Sequence, residues 1–370
     1  MSTASSSAGH GKRETMTAVR DVTVLQGVGA SGKEGKKTIP VFFNTDNNYA
    51  LPTYITLYSL LENHHSDSLI DAYILTNGDF AESYKSLFDS LRSRFSLLRL
   101  TIIDMEHHYE SVKINISYIS SASLYRLMIP DIVRTLPDKH IGKCIYLDSD
   151  LVVEGDIEEL YDIDMEGFPV CGIRDRYLSS PDLAETEINS EVRRSLGVPS
   201  LSGYINSGVM LLDLNRLDES GKTRELMEEG YNQTYRYNDQ DVINKVLYGK
   251  IKTLPLRFNV FTSFIYLSDK DMIDIYGKEE IRKARKEPLI THYVADKKPW
   301  SHPTIYMATK WWKYVRKQER EVKRAHFEPY AKERRAPLRV RIRDFGKTLA
   351  IHLHIYNLTR DTYHLIKRKR

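Results

Sequence analysis

The chain has 370 residues, of which 41% are hydrophobic and 28% are charged, so it is long enough for one large domain with extensions or for two domains. The charged fraction argues against a protein embedded in a membrane, and no uncharged apolar run approaches the roughly 18 residues of a membrane-spanning helix. The two cysteines, Cys144 and Cys171, lie in apolar runs and are interpreted as buried thiols of a reducing compartment.

Residues 1–37 are rich in Ser, Gly, Thr and Lys and lack the apolar stretch of a signal peptide. We interpret them as disordered or as a leader extension. The segment from Gly27 to Lys33 fits the spacing G-x-x-x-x-G-K. Glu34 follows it, where a phosphate-binding loop requires Ser or Thr, so this match does not predict such a loop.

Strand and helix patterns alternate from Thr38 onward. Strands are predicted for TIPVFFNT, LIDAYILTNG, LLRLTIIDM and KCIYL, and helices for NYALPTYITLYSLLENH, DFAESYKSLFDSLRSRF and SASLYRLMIPDIV. This alternation predicts an α/β fold with a parallel sheet. The polar run 174–200 is interpreted as an excursion with a loop and a short helix. Beyond it, VMLLDL and PLITHYV predict strands, and DQDVINKVLYGK predicts a helix.

Asp148 and Asp150 directly follow the apolar strand KCIYL, with Ser149 as a spacer. Side chains two residues apart in an extended segment point to the same side, so both carboxylates can face one ion. Such hard oxygen ligands suit Mg²⁺ or Mn²⁺, and ligands of α/β sheets bind beyond the carboxyl ends of the strands. The alternative is a turn with solvated acids. Further Asp-x-Asp pairs occur at 162–164, 239–241 and 269–271, but none of them directly ends a strong apolar strand.

Four motifs follow one another along the chain in this order: YLDSDLVVEGDIEELY, GYINSGVMLLDLNRL, NDQDVINKVLYGKIKTLP and ITHYVADKKPW. Together they resemble family 8 glycosyltransferases, which include bacterial lipopolysaccharide galactosyl- and glucosyltransferases and glycogenin. The resemblance covers about Thr38 to Trp312. It implies the GT-A fold of nucleotide-diphospho-sugar transferases, an α/β fold whose mainly parallel central sheet is flanked by helices. It also implies transfer of a hexose from a UDP-sugar with retention of the anomeric configuration.

The resemblance implies a metal site made of Asp148, Asp150 and His292, holding Mn²⁺ with Mg²⁺ as the alternative. An imidazole nitrogen beside carboxylate oxygens fits Mn²⁺ better than Ca²⁺. Lys298, in the same motif as His292, would pair with a phosphate as a point charge. The family commonly has glycine where Ala295 stands, so the approach of that backbone N–H to phosphate is in doubt.

The same resemblance assigns the nucleoside to Asp46, Asn48 and Tyr49, at the end of the first strand. The alternative for these residues is capping of the next helix and core packing. Arg126 would lie near the diphosphate or the sugar. The alternative for Arg126 is a position on the surface of a helix. The apolar residues around Arg126 in the sequence disfavour this alternative.

The donor hexose would be bound by four residues, which are Asp175, Asn206, Asp239 and Gln240. Asp239, Gln240 and Arg126 are the catalytic candidates. Retention is compatible with a covalent intermediate on a carboxylate, as in retaining glycosidases, or with same-face attack through an oxocarbenium-like ion pair. The alternatives for Asp239 and Gln240 are N-terminal capping of a helix and compensation of its dipole.

The predicted function is thus a metal-dependent, retaining hexosyltransferase that uses UDP-galactose or UDP-glucose and a glycan or glycolipid acceptor. Its catalytic domain would span residues 38–309. A sugar-1-phosphate nucleotidyltransferase is a second possibility, but NTDNNYALP is not the basic, glycine-rich phosphate loop that it needs. A non-catalytic carbohydrate- or membrane-binding scaffold is the third, and the joint presence of the metal-site residues and Lys298 disfavours it.

Residues 310–370 form a predicted basic, aromatic and helical C-terminal extension, with 19 Lys and Arg against 6 Asp and Glu. Aromatic residues favour a membrane interface, and basic clusters are attracted to anionic lipid. The sequence therefore predicts a cytoplasmic protein associated with the inner face of the cell membrane, with no nucleic-acid partner. The alternatives are a solvated basic helix and a tail that binds nucleic acid or another subunit.

Overall fold

The computed structural model of the protein describes residues 35–77, 80–105, 121–136, 140–231, 235–262, 269–328 and Gly346. Residues 1–34 of the predicted leader extension, including the glycine-rich segment 27–33, lie outside the described residues. The predicted C-terminal extension is described only up to Glu328 and at Gly346. Within this part of the chain, no helix is long and apolar enough to cross a membrane.

The described strands form two sheets. They are β1 Thr38–Asn44, β2 Leu69–Thr76, β3 Leu98–Asp104, β4 Lys143–Leu147, β5 Leu151–Val153, β6 Val170–Arg174, β7 Ile205–Asp213, β8 Ile251–Thr253, β9 Val260–Phe261 and β10 Ile290–His292. The seven-stranded central sheet has the order β3-β2-β1-β4-β7-β6-β8, and the small three-stranded sheet has the order β5-β10-β9.

The central sheet is buried because apolar residues occupy consecutive positions of its strands. Every residue of β2 is buried, as is β1 from Ile39 to Asn44. Continuous hydrophobicity of this kind is typical of strands covered on both faces by helices. Strand β1 runs parallel to β2 and β4, and β2 runs parallel to β3. The predicted α/β architecture with a mainly parallel sheet is confirmed.

The expectation of parallel strands is wrong at β7, which runs antiparallel to both β4 and β6. Apolar periodicity does not reveal strand direction, because direction depends on the path of the connecting segment. The reversal matters for the site. It places the beginning of β7 beside the carboxyl end of β4, where the Asp148 N–H donates to the Gly208 carbonyl oxygen at 2.8 Å.

The small sheet brings a distant histidine to the same place. Strand β10 pairs antiparallel with β5, so that His292 is opposite Leu151. The N–H of the next residue, Tyr293, donates to the Asp150 carbonyl oxygen at 3.0 Å. Backbone pairing therefore fixes His292 next to Asp150 before any side-chain contact is considered.

The described helices cover the sheets. They are α1 Ala50–Glu62, α2 Glu82–Arg94, α3 Ile129–Thr135, α4 Glu158–Tyr161, α5 Glu187–Leu196, α6 Leu214–Glu219, α7 Lys222–Glu229, α8 Asn238–Val246, α9 Asp269–Tyr276, α10 Lys278–Lys286, α11 Ala308–Arg316 and α12 Arg320–Val322. Short 3₁₀ segments lie at Ser121–Met128, Pro181–Leu183 and Leu256–Phe258, and a π-helical turn lies at Lys323–Phe327.

The helix predicted from SASLYRLMIPDIV is divided into a 3₁₀ segment, Ser121–Met128, and helix α3. Pro130 lies in the first turn of α3. A proline is well suited to this turn, because the first N–H groups of a helix have no intrahelical partner. It also cannot donate to the turn before it, so a single continuous α-helix is disfavoured.

Helix α11 belongs to the hydrophobic core of the fold. Trp311, Trp312 and Tyr314 are 2% exposed or less and join the hydrophobic cluster that contains α1 and β1. The predicted boundary between residues 309 and 310 therefore falls inside α11. The aromatic side chains that favoured a membrane interface are buried in the fold, and basic residues such as Lys313 remain exposed. Cys144 and Cys171 are both buried, free thiols, as predicted.

Candidate functional site

A pocket of about 330 Å³ lies beyond the carboxyl ends of β1, β4 and β6. It brings together nearly all the predicted site residues. They are Asp46, Tyr49, Arg126, Asp148, Asp150, Asp175, Asn206, Asp239, Gln240, His292 and Lys298. Of the predicted set, only Asn48 does not line the pocket, and it is exposed. Its contact with the nucleoside stays a prediction.

The turn from Asp148 to Asp150 is held by its middle residue. The Ser149 hydroxyl is buried, donates to the Asn44 carbonyl oxygen at 2.5 Å and lies 2.7 Å from the Thr53 hydroxyl, which donates to it. Ser149 therefore anchors the two acids to β1 and α1. Its interpretation as a spacer understated this role.

Helix α1 supports the same turn with a row of buried hydroxyl groups, Thr53, Thr56 and Ser59. Thr56 Oγ1 lies 2.9 Å from the carbonyl oxygens of both Ser149 and Leu151, and Ser59 Oγ accepts a backbone N–H of β5 at 2.9 Å. Sequence reasoning missed these residues. Their signal is a hydroxyl at every third position of an otherwise apolar helix, which places all three on one face.

Asp150 is buried beside two basic side chains. The Lys298 ammonium donates to Asp150 Oδ2, and His292 Nε2 lies 3.2 Å from Asp150 Oδ1. Burial acts to raise the pKa of Asp150, but Lys298 and His292 outweigh it and hold the pKa well below its usual value. Asp150 is therefore ionised at neutral pH, as a carboxylate ligand must be.

Arg126 connects two carboxylates across the pocket. Its guanidinium lies 2.8 Å from Asp148 Oδ1 and 3.2 Å from Asp239 Oδ2, and it stacks 4.4 Å above the ring of Tyr146. Burial acts to lower the pKa of Arg126, but the two carboxylates raise it overall. Burial raises the pKa of Asp239 despite the opposing effect of Arg126. Arg126 is thus a buried, paired cation rather than a surface residue.

Among the residues that the structure describes, Asp148, Asp150 and His292 form a group able to hold a metal ion, with ligand atoms within 4.8 Å of one another. Two carboxylates and one imidazole suit Mn²⁺. Gly208 keeps the space between them open. A Cβ atom at this position would lie 2.4 Å from His292 Cε1 and 2.5 Å from Asp148 Oδ2. These residues therefore fit a divalent cation.

The end of β1 forms one wall of the pocket. Asp46 Oδ1 accepts the backbone N–H groups of Asn48 and Tyr49, each at 2.9 Å, so it stabilises the turn that leads into α1. The Tyr49 ring packs edge-on against Trp300, with 5.8 Å between the ring centroids. The capping alternative thus describes the contacts of Asp46, while both Asp46 and Tyr49 also line the pocket.

The opposite wall carries Asn206, Asp239 and Gln240. Asn206 Nδ2 donates to Gln240 Oε1 at 2.9 Å, and the Ser207 hydroxyl donates to Asp239 Oδ2 at 2.8 Å. Asp239 and Gln240 lie in the first turn of α8. The helix begins at Asn238, whose φ of 41° is left-handed, a conformation in which asparagine is enriched.

Two further residues of the pocket wall depart from expectation. Arg176, next to Asp175, is buried and lies 3.7 Å above the Tyr177 ring. Burial lowers its pKa, and sequence reasoning missed it because an arginine in a polar run looks solvated. Ala295 has a φ of 69°, the left-handed region that favours glycine. It therefore holds a backbone conformation that a glycine would adopt with less strain.

Known proteins share the sequence pattern and the fold of this chain. The model of glycosyl transferase family 8 matches residues 40–304. A putative glycosyltransferase from Haemophilus influenzae is 27% identical over 267 residues, covering 71% of this chain and 73% of that protein. The lipopolysaccharide 1,2-glucosyltransferase of Escherichia coli K12 is 26% identical over 280 residues, covering 74% of this chain and 76% of that enzyme.

Solved structures share the fold. The galactosyltransferase LgtC, in complex with donor and acceptor sugar analogues, superposes with a TM-score of 0.61 at 22% identity, covering 78% of this chain and 99% of LgtC. The bifunctional glycosyltransferase WbbM gives a TM-score of 0.64 at 23% identity, covering 78% of this chain and 51%, about half, of WbbM. The predicted GT-A fold is confirmed. Because the family model matches well over half of the residues, the chain belongs to glycosyl transferase family 8.

Proposed function

We propose that the protein transfers a hexose from a UDP-sugar to a hydroxyl group of a glycan or glycolipid, with a divalent cation and with retention of the anomeric configuration. The observation that carries this proposal is the cation-binding group of Asp148, Asp150 and His292 beside the ammonium of Lys298. Metal ions and positive side chains together stabilise the charge of a diphosphate. The names of an E. coli glucosyltransferase and of LgtC support glucose or galactose as the hexose.

Negative charge develops on the UDP diphosphate as its bond to the sugar breaks. Lys298 is held in place by Asp150 and by the Tyr293 carbonyl oxygen at 2.7 Å, so it provides a fixed point charge beside the diphosphate. A bound Mn²⁺, or Mg²⁺ as the alternative, would supply Lewis-acid stabilisation of the same charge. Arg126, paired with Asp148, balances charge near the sugar.

The donor's remaining groups are assigned to the two walls of the pocket. Tyr49 would stack on the uracil, and Asp46 and Asn48 would bind the nucleoside. Asp175 and Asn206 would bind hydroxyl groups of the hexose, because carboxylates and amides can each make two hydrogen bonds to neighbouring hydroxyls.

We favour same-face attack over a covalent intermediate. Asp239 is the carboxylate that the resemblance suggests for a covalent route, but its Oδ2 is held by both Arg126 and Ser207. In same-face attack the bond from the anomeric carbon to the phosphate oxygen breaks, and the acceptor oxygen bonds to that carbon. The acceptor's hydroxyl proton passes to the leaving phosphate oxygen. The Gln240 amide oxygen would stabilise the oxocarbenium-like cation.

The proposal is tested by measuring UDP release from UDP-galactose and UDP-glucose with Mn²⁺. Asp148→Asn and Asp150→Asn should abolish metal-dependent release while the circular dichroism spectrum stays unchanged. Asp162→Asn is the matched control, because Asp162 belongs to another Asp-x-Asp pair and its side chain is 55% exposed. Full activity of either site variant would contradict the assignment. If added pyrophosphate converted the UDP-sugar to UTP and sugar-1-phosphate, the protein would be the nucleotidyltransferase instead. Binding of the sugar without turnover would indicate the scaffold.

We also propose that the basic C-terminal extension brings the catalytic domain to an anionic membrane on the cytoplasmic side, where a lipid-linked acceptor would be found. The support is its excess of 19 basic over 6 acidic residues, together with exposed Lys313, Arg316 and Lys317 in its described part. Most of this extension lies outside the described residues, so the proposal rests on charge.

A further inference from the structure

A series of hydrogen bonds, all donated in one direction, starts at His292 Nδ1. This ring nitrogen faces away from Asp148 and Asp150. His292 Nδ1 lies 2.9 Å from Asn259 Oδ1. Asn259 Nδ2 donates to Asn206 Oδ1 at 2.9 Å, and Asn206 Nδ2 donates to Gln240 Oε1 at 2.9 Å. The imidazole of the metal group is thereby connected to the Gln240 amide, which the proposed function assigns to the sugar. Asn259 itself is fully buried.

Backbone N–H groups fix the orientation of two amides in this series, because an N–H can only donate. The Gly208 N–H donates to Asn206 Oδ1 at 3.1 Å, and the Ser207 N–H donates to Gln240 Oε1 at 3.2 Å. The atom of Asn206 that faces Gly208 must therefore be its oxygen. The same reasoning makes the atom of Gln240 that faces Ser207 an oxygen.

The orientation of Asn259 follows from that of Asn206. Since Asn206 presents an oxygen to Asn259, Asn259 must present its NH₂ group in return. Its oxygen then faces His292, and only a hydrogen on Nδ1 can satisfy it. Nε2 is consequently the ring nitrogen that faces Asp148 and Asp150, at 3.8 Å and 3.2 Å from their oxygens.

The far end of the series has an acceptor of its own. Gln240 Nε2 donates to the Tyr204 hydroxyl at 3.3 Å, and that hydroxyl donates to Asp241 Oδ1 at 2.6 Å. Asp241 Oδ2 accepts the Tyr237 N–H at 2.8 Å. Both carboxylate oxygens of Asp241 therefore accept hydrogen bonds. Every hydrogen bond of the series is donated in the same direction, from His292 towards Asp241.

We infer that Asn259 is a positioning residue that selects the Nδ1–H tautomer of His292 and, through Asn206, sets the orientation of the Gln240 amide. The metal side and the sugar side of the pocket are thereby ordered by one chain of amides. The inference deepens the proposed function and rests on it for the roles of the cation and the sugar. Partners of this kind typically change metal affinity by about 10- to 100-fold when they are lost.

Two substitutions of Asn259 separate its two contacts. Asn259→Leu has a similar volume and removes both hydrogen bonds. Asn259→Asp keeps an acceptor for the His292 Nδ1–H but has no donor for Asn206 when ionised. Asn63→Leu is the matched control, because Asn63 also donates to buried backbone, at 2.9 Å from the Val153 carbonyl oxygen, but does not line the pocket.

The first measurement needs neither metal nor sugar. Long-range ¹H–¹⁵N spectra of the metal-free full chain report the tautomer, with His292 identified among the 12 histidines by its absence in His292→Gln. We expect a hydrogen on Nδ1 in the wild type, Asn259→Asp and Asn63→Leu, whether or not Asp148 and Asp150 also hold one on Nε2, and a smaller Nδ1–H population in Asn259→Leu. An unchanged Nδ1–H population in Asn259→Leu would overturn the inference, even if UDP-sugar turnover were established.

The second measurement is the affinity for Mn²⁺ alone, followed by turnover. Asn259→Leu should bind Mn²⁺ about 10- to 100-fold more weakly, and Asn259→Asp at least as tightly as the wild type. Asn259→Asp should nevertheless have a lower kcat, because its link to Asn206 is broken. If Asn259→Leu does not fold, Asn259→Asp decides the question, since weak Mn²⁺ binding with a normal kcat in that variant would overturn the inference. Failure of the proposed function would instead remove turnover from the wild type and leave the tautomer result intact.

Discussion

Gly208 contributes to the site through the absence of a side chain. Its φ is not left-handed, so its role is space rather than backbone conformation. We expect Gly208→Ala to lose Mn²⁺ binding and UDP release, because the added methyl group would lie 2.4 Å from His292 Cε1. Isothermal titration with Mn²⁺ measures the first effect directly.

Gly203→Ala is the control for this substitution, because no heavy atom of the described residues, apart from its chain neighbours, lies within 4 Å of a Cβ atom built at that position. It should bind Mn²⁺ like the wild type. If Gly208→Ala also bound Mn²⁺ normally, the cation would have to lie elsewhere than between His292 and Asp148.

Asp241 makes stability depend on pH. Burial raises its pKa to about 6, against about 3.9 for an aspartate in an unfolded chain. The folded protein therefore holds this proton more tightly. The resulting stabilisation is fully present below about pH 4 and is lost as the pH rises through about 6.

We expect the free energy of unfolding of the wild type, compared with Asp241→Asn, to decrease by about 2 kcal/mol between pH 4 and pH 7. Urea denaturation at the two pH values measures this difference, and any constant cost of the substitution cancels in it. Asp67→Asn, at a position with a 99% exposed side chain, should follow the wild type. Parallel pH dependence of Asp241→Asn and the wild type would contradict the prediction.

The sequence indicated residues whose chemistry is visible in one segment or in a family motif, and it did not indicate residues whose role arises only from contacts across the fold. Asp148 and Asp150 were found because spacing and the preceding strand are visible in one short segment. Asn259 and Arg176 were missed. Their significance lies in a contact with His292 and in burial at the pocket wall, which depend on how separate segments meet.

At the level of elements, α1 acts as a backbone clamp for the carboxylate turn. Thr56→Val keeps the shape of the side chain but leaves the carbonyl oxygens of Ser149 and Leu151 without this donor. We expect the free energy of unfolding to fall by about 1–3 kcal/mol, with weaker Mn²⁺ binding because the turn is less rigid. Urea denaturation and Mn²⁺ titration measure the two effects.

Thr135→Val, at an exposed helix end, is the control and should change neither quantity appreciably. A Thr56→Val protein with reduced stability but unchanged Mn²⁺ affinity would show that α1 supports the fold without ordering the metal ligands.

Elements with a strong apolar run were predictable, as β1, β2 and β3 show, because the burial of a continuous apolar segment favours a strand. The direction of β7 and the division of the third predicted helix were not. Strand direction depends on the path of a long connection, and the 3₁₀ segment Ser121–Met128 leads directly into a proline-containing turn. These two features nevertheless position Gly208 and Arg126.

At the level of the whole molecule, the proposed membrane association can be separated from the fold. Replacing Lys367, Arg368, Lys369 and Arg370 by Gln in the full-length chain should reduce co-sedimentation with vesicles containing anionic lipid, because each basic residue near the surface contributes about 1 kcal/mol. Neutralising four basic residues of α10, Lys278, Arg282, Lys283 and Lys286, is the control with the same charge change. Equal loss of binding in both proteins would point to overall charge rather than to the extension.

The burial of α11 also affects how the enzyme can be shortened for expression. The family match ends at residue 304, but the core continues through Trp311, Trp312 and Phe327. A chain that stopped at residue 304 would leave the apolar side of α1 open to solvent. Large exposed apolar patches promote aggregation, so such a fragment should collect in inclusion bodies. Soluble fragments should extend at least to Glu328.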